Sequence, residues 1–126
     1  MVDALRRAHR WLRPHGCVID IHPTALASTI EVGGRIVGSI QTADAPARHA
    51  AADAAVAAVA ADGLFVIAGT DVFDFYTHAD SLSELRDHID ANWRDACVRA
   101  DAPDAEPVRA HEQVRITKLC LARDRV

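Results

Sequence analysis

The sharpest cluster of chemically competent residues in this chain is Asp20-Ile21-His22-Pro23. A carboxylate and an imidazole at this spacing can move a proton or bind a ligand. The cluster closes a short apolar run, and ligands of open α/β sheets bind at the carboxyl ends of parallel strands. Alternate strand residues share a face without having to touch, so we expect Asp20 to orient His22 only indirectly. The competing interpretation, which we favour, is that Asp20 pairs with an arginine and His22 leads into a turn.

A second group of candidate residues lies in the main aromatic concentration of the chain. Tyr76 and His78 share one strand face with Asp74, whereas Phe73 and Phe75 have the opposite parity and are expected in the core. The polar face is either the lining of a pocket or an ordinary solvated sheet face, and we favour the second. The candidate ligand pocket therefore consists of Asp20, His22, Tyr76 and His78.

Catalytic and metal-binding patterns are not found. The seven histidines are spread singly, without an H-E-x-x-H pattern, so no metal site is predicted. There is no G-x-S-x-G pattern, and no cysteine has a base nearby in the sequence, so catalytic residues stay unknown. Cys17 and Cys120 lie in apolar runs and are expected to be buried free thiols of a reducing cytoplasm.

Composition limits the class of protein. The chain has 126 residues, half of them apolar, and a formal charge of -4. This length predicts one domain spanning residues 1–126, and the acidic balance argues against a nucleic-acid partner. No apolar stretch approaches the roughly 18 residues of a membrane span, and the basic N-terminus lacks the apolar segment of a signal peptide. We therefore expect a cytoplasmic protein without a membrane partner.

Apolar spacing and turn residues predict the elements that must position these side chains. Helices are expected over residues 3–13, 47–61 and 81–98, the last beginning with a Ser81–Glu84 capping box. Strands are expected over residues 17–21, covered on both faces, and over residues 108–122, with a bulge or face change near Lys118. Two further pairs of strands are expected, 30–32 and 35–40 around a Gly33-Gly34 hairpin turn, and 64–67 and 72–76 around a turn at 69–71.

The segment Ala4–His22, ALRRAHRWLRPHGCVIDIH, resembles the middle of a class I S-adenosylmethionine-dependent methyltransferase. In that family a helix ending in L-x-P-G-G leads into the fifth strand. Leu12, Pro14 and Gly16 match this turn, and His15 stands where the motif has its first Gly. CVIDI corresponds to the fifth strand, and the later elements follow the order of the family's C-terminal half.

This resemblance implies an α/β fold with a small mixed β-sheet and flanking helices. It would be a truncated, methyltransferase-like (Rossmann-like) fold with an inserted β-hairpin at residues 30–40. The family's acidic-x-Gly-x-Gly cofactor loop has no counterpart in the sequence, so no cofactor-binding residue is carried over and no cofactor is expected.

Three functions are compatible with these expectations. The first is a non-catalytic methyltransferase-like module that forms a homodimer, through a sheet edge or the hairpin, or binds another protein. Its basis is that CVIDI, without the first half of the fold, becomes an edge strand that invites another chain. The second is a small-molecule-binding protein or methyltransferase-related enzyme with the pocket above. The third is a truncated product or one half of a split methyltransferase.

Overall fold

A computed structural model describes residues 1–122 as a mixed α/β protein. Its helices and strands follow one another as α1 (Val2–Trp11), β1 (Cys17–Pro23), β2 (Ser28–Val32), β3 (Arg35–Thr42), α2 (Ala45–Ala61), β4 (Phe65–Ala79), α3 (Leu82–Asn92), β5 (Ala96–Ala100) and β6 (Val108–Leu121). The strands are hydrogen-bonded in the order β1-β6-β2-β3-β5, and β4 also pairs with β6. Every pair with a defined register is antiparallel. Among the described helices, none has both the length and the apolar character that a membrane crossing requires.

The chain divides into two compact units. Unit 1 comprises residues 1–23, 46–73 and 114 onward, and unit 2 comprises residues 24–45 and 74–113. Strands β4 and β6 each contribute residues to both units.

In unit 1, both helices bury their apolar residues against one face of the sheet. Leu5 of α1 and Val59 of α2 pack together with Phe65 of β4 and Leu119 of β6. The expectation that CVIDI is covered on both faces within a parallel sheet is wrong. β1 pairs antiparallel with β6, and its Ile19 and Ile21 side chains are 53% and 56% exposed. Because strand side chains alternate, the strand turns these residues away from the helices.

The turn between α1 and β1 depends on two residues with different backbone needs. His15, not Gly16, has a positive φ, of 68°. Gly16 is required for space instead, since a Cβ there would lie 2.8 Å from the Arg13 carbonyl oxygen. Pro14 and Gly16 thus lie in the predicted turn, with the positive φ at His15 between them.

Strand β4 is continuous from Phe65 to Ala79, so the predicted turn at 69–71 is wrong. Gly69 does not adopt a positive φ, and the Thr70 hydroxyl lies 3.4 Å from that of Thr117 on β6. Pairing with β6 overrides the local turn signal, as tertiary context often does in strands. The expectation that Phe73 and Phe75 enter the core is also wrong, because they are 40% and 49% exposed.

Strand β6 confirms the strand predicted at the C-terminal end of the chain. Its register with β1 runs unbroken from Val114 to Cys120, so there is no bulge at Lys118. The buried positions do change parity, from Val114 to Thr117 and Leu119. The face change therefore occurs earlier than predicted and without a register shift.

Unit 2 begins with the predicted hairpin. Strands β2 and β3 pair antiparallel around Gly33 and Gly34, whose φ angles are 56° and 80°. Two successive positive φ values are what a tight hairpin turn requires, and glycine adopts them at little cost. β2 then pairs with residues 109–111 of β6, while β3 pairs with β5. The hairpin thus has a strand on each side.

Helix α3 covers the core of unit 2. The Ser81 hydroxyl accepts a hydrogen bond from the Glu84 amide at 3.1 Å, which confirms the predicted cap. The helix ends at Asn92 rather than Val98, because Asp95 adopts a φ of 53° and the chain enters β5. Leu85 and Ile89 are fully buried, as the helical spacing predicted.

Replacing Leu85 by alanine tests the packing of α3. Leu85 has no exposed surface, and truncating such a side chain typically costs about 2–5 kcal/mol. We expect Leu85→Ala to lower Tm by many degrees in thermal unfolding followed by circular dichroism. Asp87→Ala, on the exposed face of the same helix, is the control and should change Tm little. Equal and small effects would contradict the packing.

Candidate functional site

The first candidate site is a charged cluster in unit 1, called the His22 cluster, formed by Asp20, His22, Asp53 and Arg115. His22 Nδ1 lies 2.6 Å from Asp20 Oδ2, and His22 Nε2 lies 2.7 Å from Asp53 Oδ1. Arg115 donates to the same Asp53 oxygen at 2.8 Å. The side chains of Asp20 and His22 are each only 11% exposed. The cluster therefore joins the nearly buried pair on β1 to the more exposed Asp53 of α2 and Arg115 of β6, which are 43% and 36% exposed.

Strand register and helix position explain why these residues meet. His22 and Arg115 are direct partners across β1 and β6, and Asp20 stands opposite Thr117 on the same face. That face lies under α2, whose Asp53 reaches both His22 and Arg115. The expectation that Asp20 acts on His22 only indirectly is wrong, because the two side chains bond directly. So is the favoured alternative, since Arg115 pairs with Asp53 and not with Asp20.

The electrostatics of the cluster keep Asp53 ionised. The hydrogen bond with His22 is the main cause that holds the pKa of Asp53 below its usual value, and Arg115 adds a hydrogen bond and a positive charge. A neutral imidazole has one donor and one acceptor nitrogen, whereas the imidazolium donates from both. Each ring nitrogen of His22 faces a carboxylate oxygen, of Asp20 or of Asp53. Neither ring nitrogen is then open to a substrate or a metal ion.

The second candidate site lies in unit 2 and is called the Tyr76 cluster, formed by Tyr76, His78, Arg109 and His111. The Arg109 guanidinium carbon lies 4.2 Å from the centroid of the Tyr76 ring, a cation–π contact. The His111 and His78 rings lie 5.2 Å and 6.4 Å from Tyr76, centroid to centroid. Tyr76 and His78 therefore do share a polar surface, as their spacing predicted.

Carboxylates contact both His111 and Arg109 of the Tyr76 cluster. His111 Nε2 lies 2.7 Å from Asp74 Oδ1, and Arg109 donates to Glu31 Oε2 at 2.6 Å. Beside His111 on β6, burial raises the pKa of Glu112. The charged contacts of this cluster are thus made within unit 2, as expected where polar side chains on a sheet surface stabilise the fold.

The four predicted pocket residues fall into two pairs. Asp20 and His22 are brought together in unit 1, and Tyr76 and His78 are brought together in unit 2. The pocket of all four residues stays a prediction. An open cleft of unit 1 is lined by a different set of residues, namely Arg6, His9, Arg10, Asp62 and Leu64.

The thiols are more accessible than expected. Cys17 and Cys97 are exposed and Cys120 is partly exposed, all three as free thiols. The prediction that Cys17 and Cys120 are buried is therefore wrong. An apolar strand does not bury a cysteine on the side that the helices leave open.

Comparisons of this chain with protein-family models, with curated proteins and with solved structures give no match. Its function must therefore be inferred from its own side chains and strand edges.

The lowered pKa of Asp53 predicts an acid-sensitive contribution to stability. A carboxyl whose folded pKa is depressed stabilises the fold above its unfolded value, about 3.9, and this stability is lost as pH falls through the folded pKa. We expect wild-type Tm to fall on acidification from about pH 5 to pH 3. Asp53→Asn should lower Tm at pH 7 and flatten this dependence.

The control is Asp87→Asn, which removes the same charge from an exposed position on α3. It should keep the wild-type profile of Tm against pH. A wild-type slope in Asp53→Asn would show that the His22 cluster does not contribute to acid unfolding.

Proposed function

We propose that this protein is a non-catalytic, methyltransferase-like module that acts in the cytoplasm by associating with a second copy of itself through a sheet edge. The observation that carries the proposal is the exposure of β4. From Val66 to Phe75 every residue of this strand is exposed. Five of its large apolar side chains are exposed, against two on β1: Val66, Ile67, Val72, Phe73 and Phe75 on β4, and Ile19 and Ile21 on β1.

Both outer strands of the unit 1 sheet have a side without a partner among the described residues. β4 pairs only with β6, and β1 also pairs only with β6. Unpaired N–H and C=O groups on a long apolar strand attract another strand, and proteins usually protect such edges with lysine or proline. Neither residue occurs in β4.

The hairpin does not protect these edges. Among the described residues, β2 pairs with β3 and β6, and β3 pairs with β2 and β5, so neither hairpin strand pairs with β1 or β4. The edge of β1 thus stays open, and so does that of β4. Of the two, β4 is longer and exposes more large apolar side chains, so we place the contact there.

A second copy is the simplest occupant of such an edge. Two copies of one strand can pair antiparallel around a two-fold axis, so that each edge satisfies the other and no edge is left open at the contact. The contact uses the same residues twice, as an isologous interface does.

The relation to methyltransferases is supported by the order of elements and by one turn. The order α1, β1, α2, β4, α3 and β6 follows the order of the resemblance, with β2–β3 as the insertion. The further strand β5 and the antiparallel register of the paired strands depart from the mixed sheet that the resemblance implies. His15, which stands at the motif's first Gly, has the positive φ for which a glycine is suited.

The non-catalytic part is supported by the way the polar clusters are satisfied. Both nitrogens of His22 face carboxylates, and Arg109 covers one face of Tyr76. A general base must reach the proton that it removes. The exposed thiols also fit the cytoplasm, whose reducing pool keeps such groups free.

Introducing a charge into β4 tests the proposed interface. We expect wild-type protein at micromolar concentration to have twice the chain mass in light scattering. Phe73→Lys should weaken the dimer roughly 30-fold or more, because the contact would then bury a repeated charge. The control is Ile36→Lys, at a hairpin position that is 68% exposed, which should leave the dimer intact.

A third variant, Ile19→Lys, tests whether the dimer contact lies on β1 instead of β4. A dimer that survives Phe73→Lys and is lost in Ile19→Lys would move the contact from β4 to β1. A wild-type monomer at these concentrations would refute self-association, and capture of a different protein would then be the remaining way to cover the edge.

The missing glycine loop predicts that the chain does not bind S-adenosylmethionine. Backbone amides must approach that cofactor closely, which glycines permit, and no acidic-x-Gly-x-Gly segment occurs in the sequence. We expect isothermal titration calorimetry to give no binding heat with the natively folded protein. Micromolar affinity, or methyl transfer above background, would contradict the non-catalytic proposal.

A further inference from the structure

Two of the three cysteines face each other across a strand pair. Cys17 begins β1, and its direct partner on β6 is Cys120. The neighbouring pair Val18 and Leu119 points to the covered face, where Leu119 is fully buried. Cys17 and Cys120 therefore lie on the opposite face, called the open face, together with Ile19.

The hydrogen bonds around this pair bring the two side chains close. The Leu121 amide donates to the Gly16 carbonyl at 3.4 Å, immediately beyond the two cysteines. Because this bond joins Gly16 and Leu121, the adjacent residues Cys17 and Cys120 form a non-hydrogen-bonded pair of the antiparallel ladder. The Cα atoms of such a pair are the closer ones, about 4.5 Å apart. Disulfides join Cα atoms about 4.4–6.8 Å apart. The backbone is thus already within bonding range.

The thiols already interact. A hydrogen bond with the Cys17 thiol is the main cause that raises the pKa of the Cys120 thiol, and burial adds to it. Cys17 is exposed whereas Cys120 is only partly so. An oxidant in solution therefore reaches Cys17 first and finds Cys120 next to it.

We infer that Cys17 and Cys120 form a reversible redox site, a dithiol in reducing conditions and a cross-strand disulfide after exposure to a peroxide. The Cys17 thiol releases its proton, its sulfur attacks one peroxide oxygen and the O–O bond breaks, so that a sulfenic acid forms and the departing hydroxide takes up the released proton as water. The Cys120 thiol then releases its proton, its sulfur attacks the Cys17 sulfur and the S–O bond breaks, so that the departing hydroxide takes up this proton as a second water. Two thiols and one hydrogen peroxide thus give one disulfide and two waters.

The position of Cys17 and Cys120 on the open face favours reduction of their disulfide back to two thiols. A disulfide that is exposed or strained is more easily reduced than a buried structural one. This pair lies on the open face, where a dithiol reductant can attack Cys17. Cys97 differs, because its cross-strand partner on β3 is Gln41. The site does not depend on the proposed dimer, because both cysteines belong to one chain.

The disulfide would also stabilise the protein. It links residue 17 to residue 120, so it closes a loop that contains most of the chain. Long closed loops restrict the unfolded chain most, and we expect a rise in Tm of roughly 10 °C.

The test is oxidation of the folded protein with hydrogen peroxide, followed by alkylation and non-reducing mass spectrometry. Before alkylation, wild type and the matched control Cys97→Ser should each become lighter by two hydrogen atoms; alkylation should then label Cys97 of wild type and add no label to Cys97→Ser. A proteolytic map should contain a Cys17–Cys120 linked peptide, and dithiothreitol should restore both thiols. Tm should rise on oxidation and return on reduction. Cys17→Ser and Cys120→Ser should show neither the mass loss nor the rise in Tm.

The opposite results would overturn the site. One such result is that all three thiols of peroxide-treated wild type are still alkylated. Another is oxidation of Cys17 to a sulfinic acid without a disulfide, and a third is a disulfide that involves Cys97 or joins two chains. Each of these would show that Cys17 and Cys120 do not act as a pair.

Discussion

The architecture of unit 1 depends on one constraint, that α1 and α2 pack on the same side of the sheet. Val59, Phe65 and Leu119 meet in one apolar cluster, and burying such a side chain fully stabilises a fold by about 1.5–3 kcal/mol. Alternation along a strand then decides the rest. For every residue of β1 that faces the helices, the next one faces away, which places Cys17, Ile19 and Ile21 on the open face.

Local signals predicted most elements correctly because their physics is local. The Ser81 cap, the glycine hairpin and the alanine-rich helix each depend on residues within one turn. The errors arose where pairing partners decide. Gly69-Thr70-Asp71 has turn chemistry, but β4 continues through it because it pairs with β6. The end of α3 at Asn92 follows from β5, a short strand that pairs with β3.

Two residues of the His22 cluster were predicted from the sequence, a third carried a signal in the sequence, and the fourth did not. Asp20 and His22 are near neighbours in an apolar run, which marks them as unusual. Asp53 carried a usable signal, since it is the single charged residue in the run from Ala50 to Ala61. Arg115 carried none. It meets Asp53 only because the register of β1 and β6 places it opposite His22, and register depends on pairing between distant segments.

The same open face also explains why apolarity misled the interpretation of β1. An apolar run is compatible with a strand covered on both faces, but also with a strand that keeps one face for another molecule. The contacts of the polar residues help to distinguish these two possibilities for an apolar strand. Charges of the His22 and Tyr76 clusters are paired inside the chain, which stabilises the protein and leaves those groups engaged. Groups that stay accessible include the apolar side chains of β4, the edges of β1 and β4 and the thiol of Cys17. These groups are the basis of the association and the thiol oxidation proposed above.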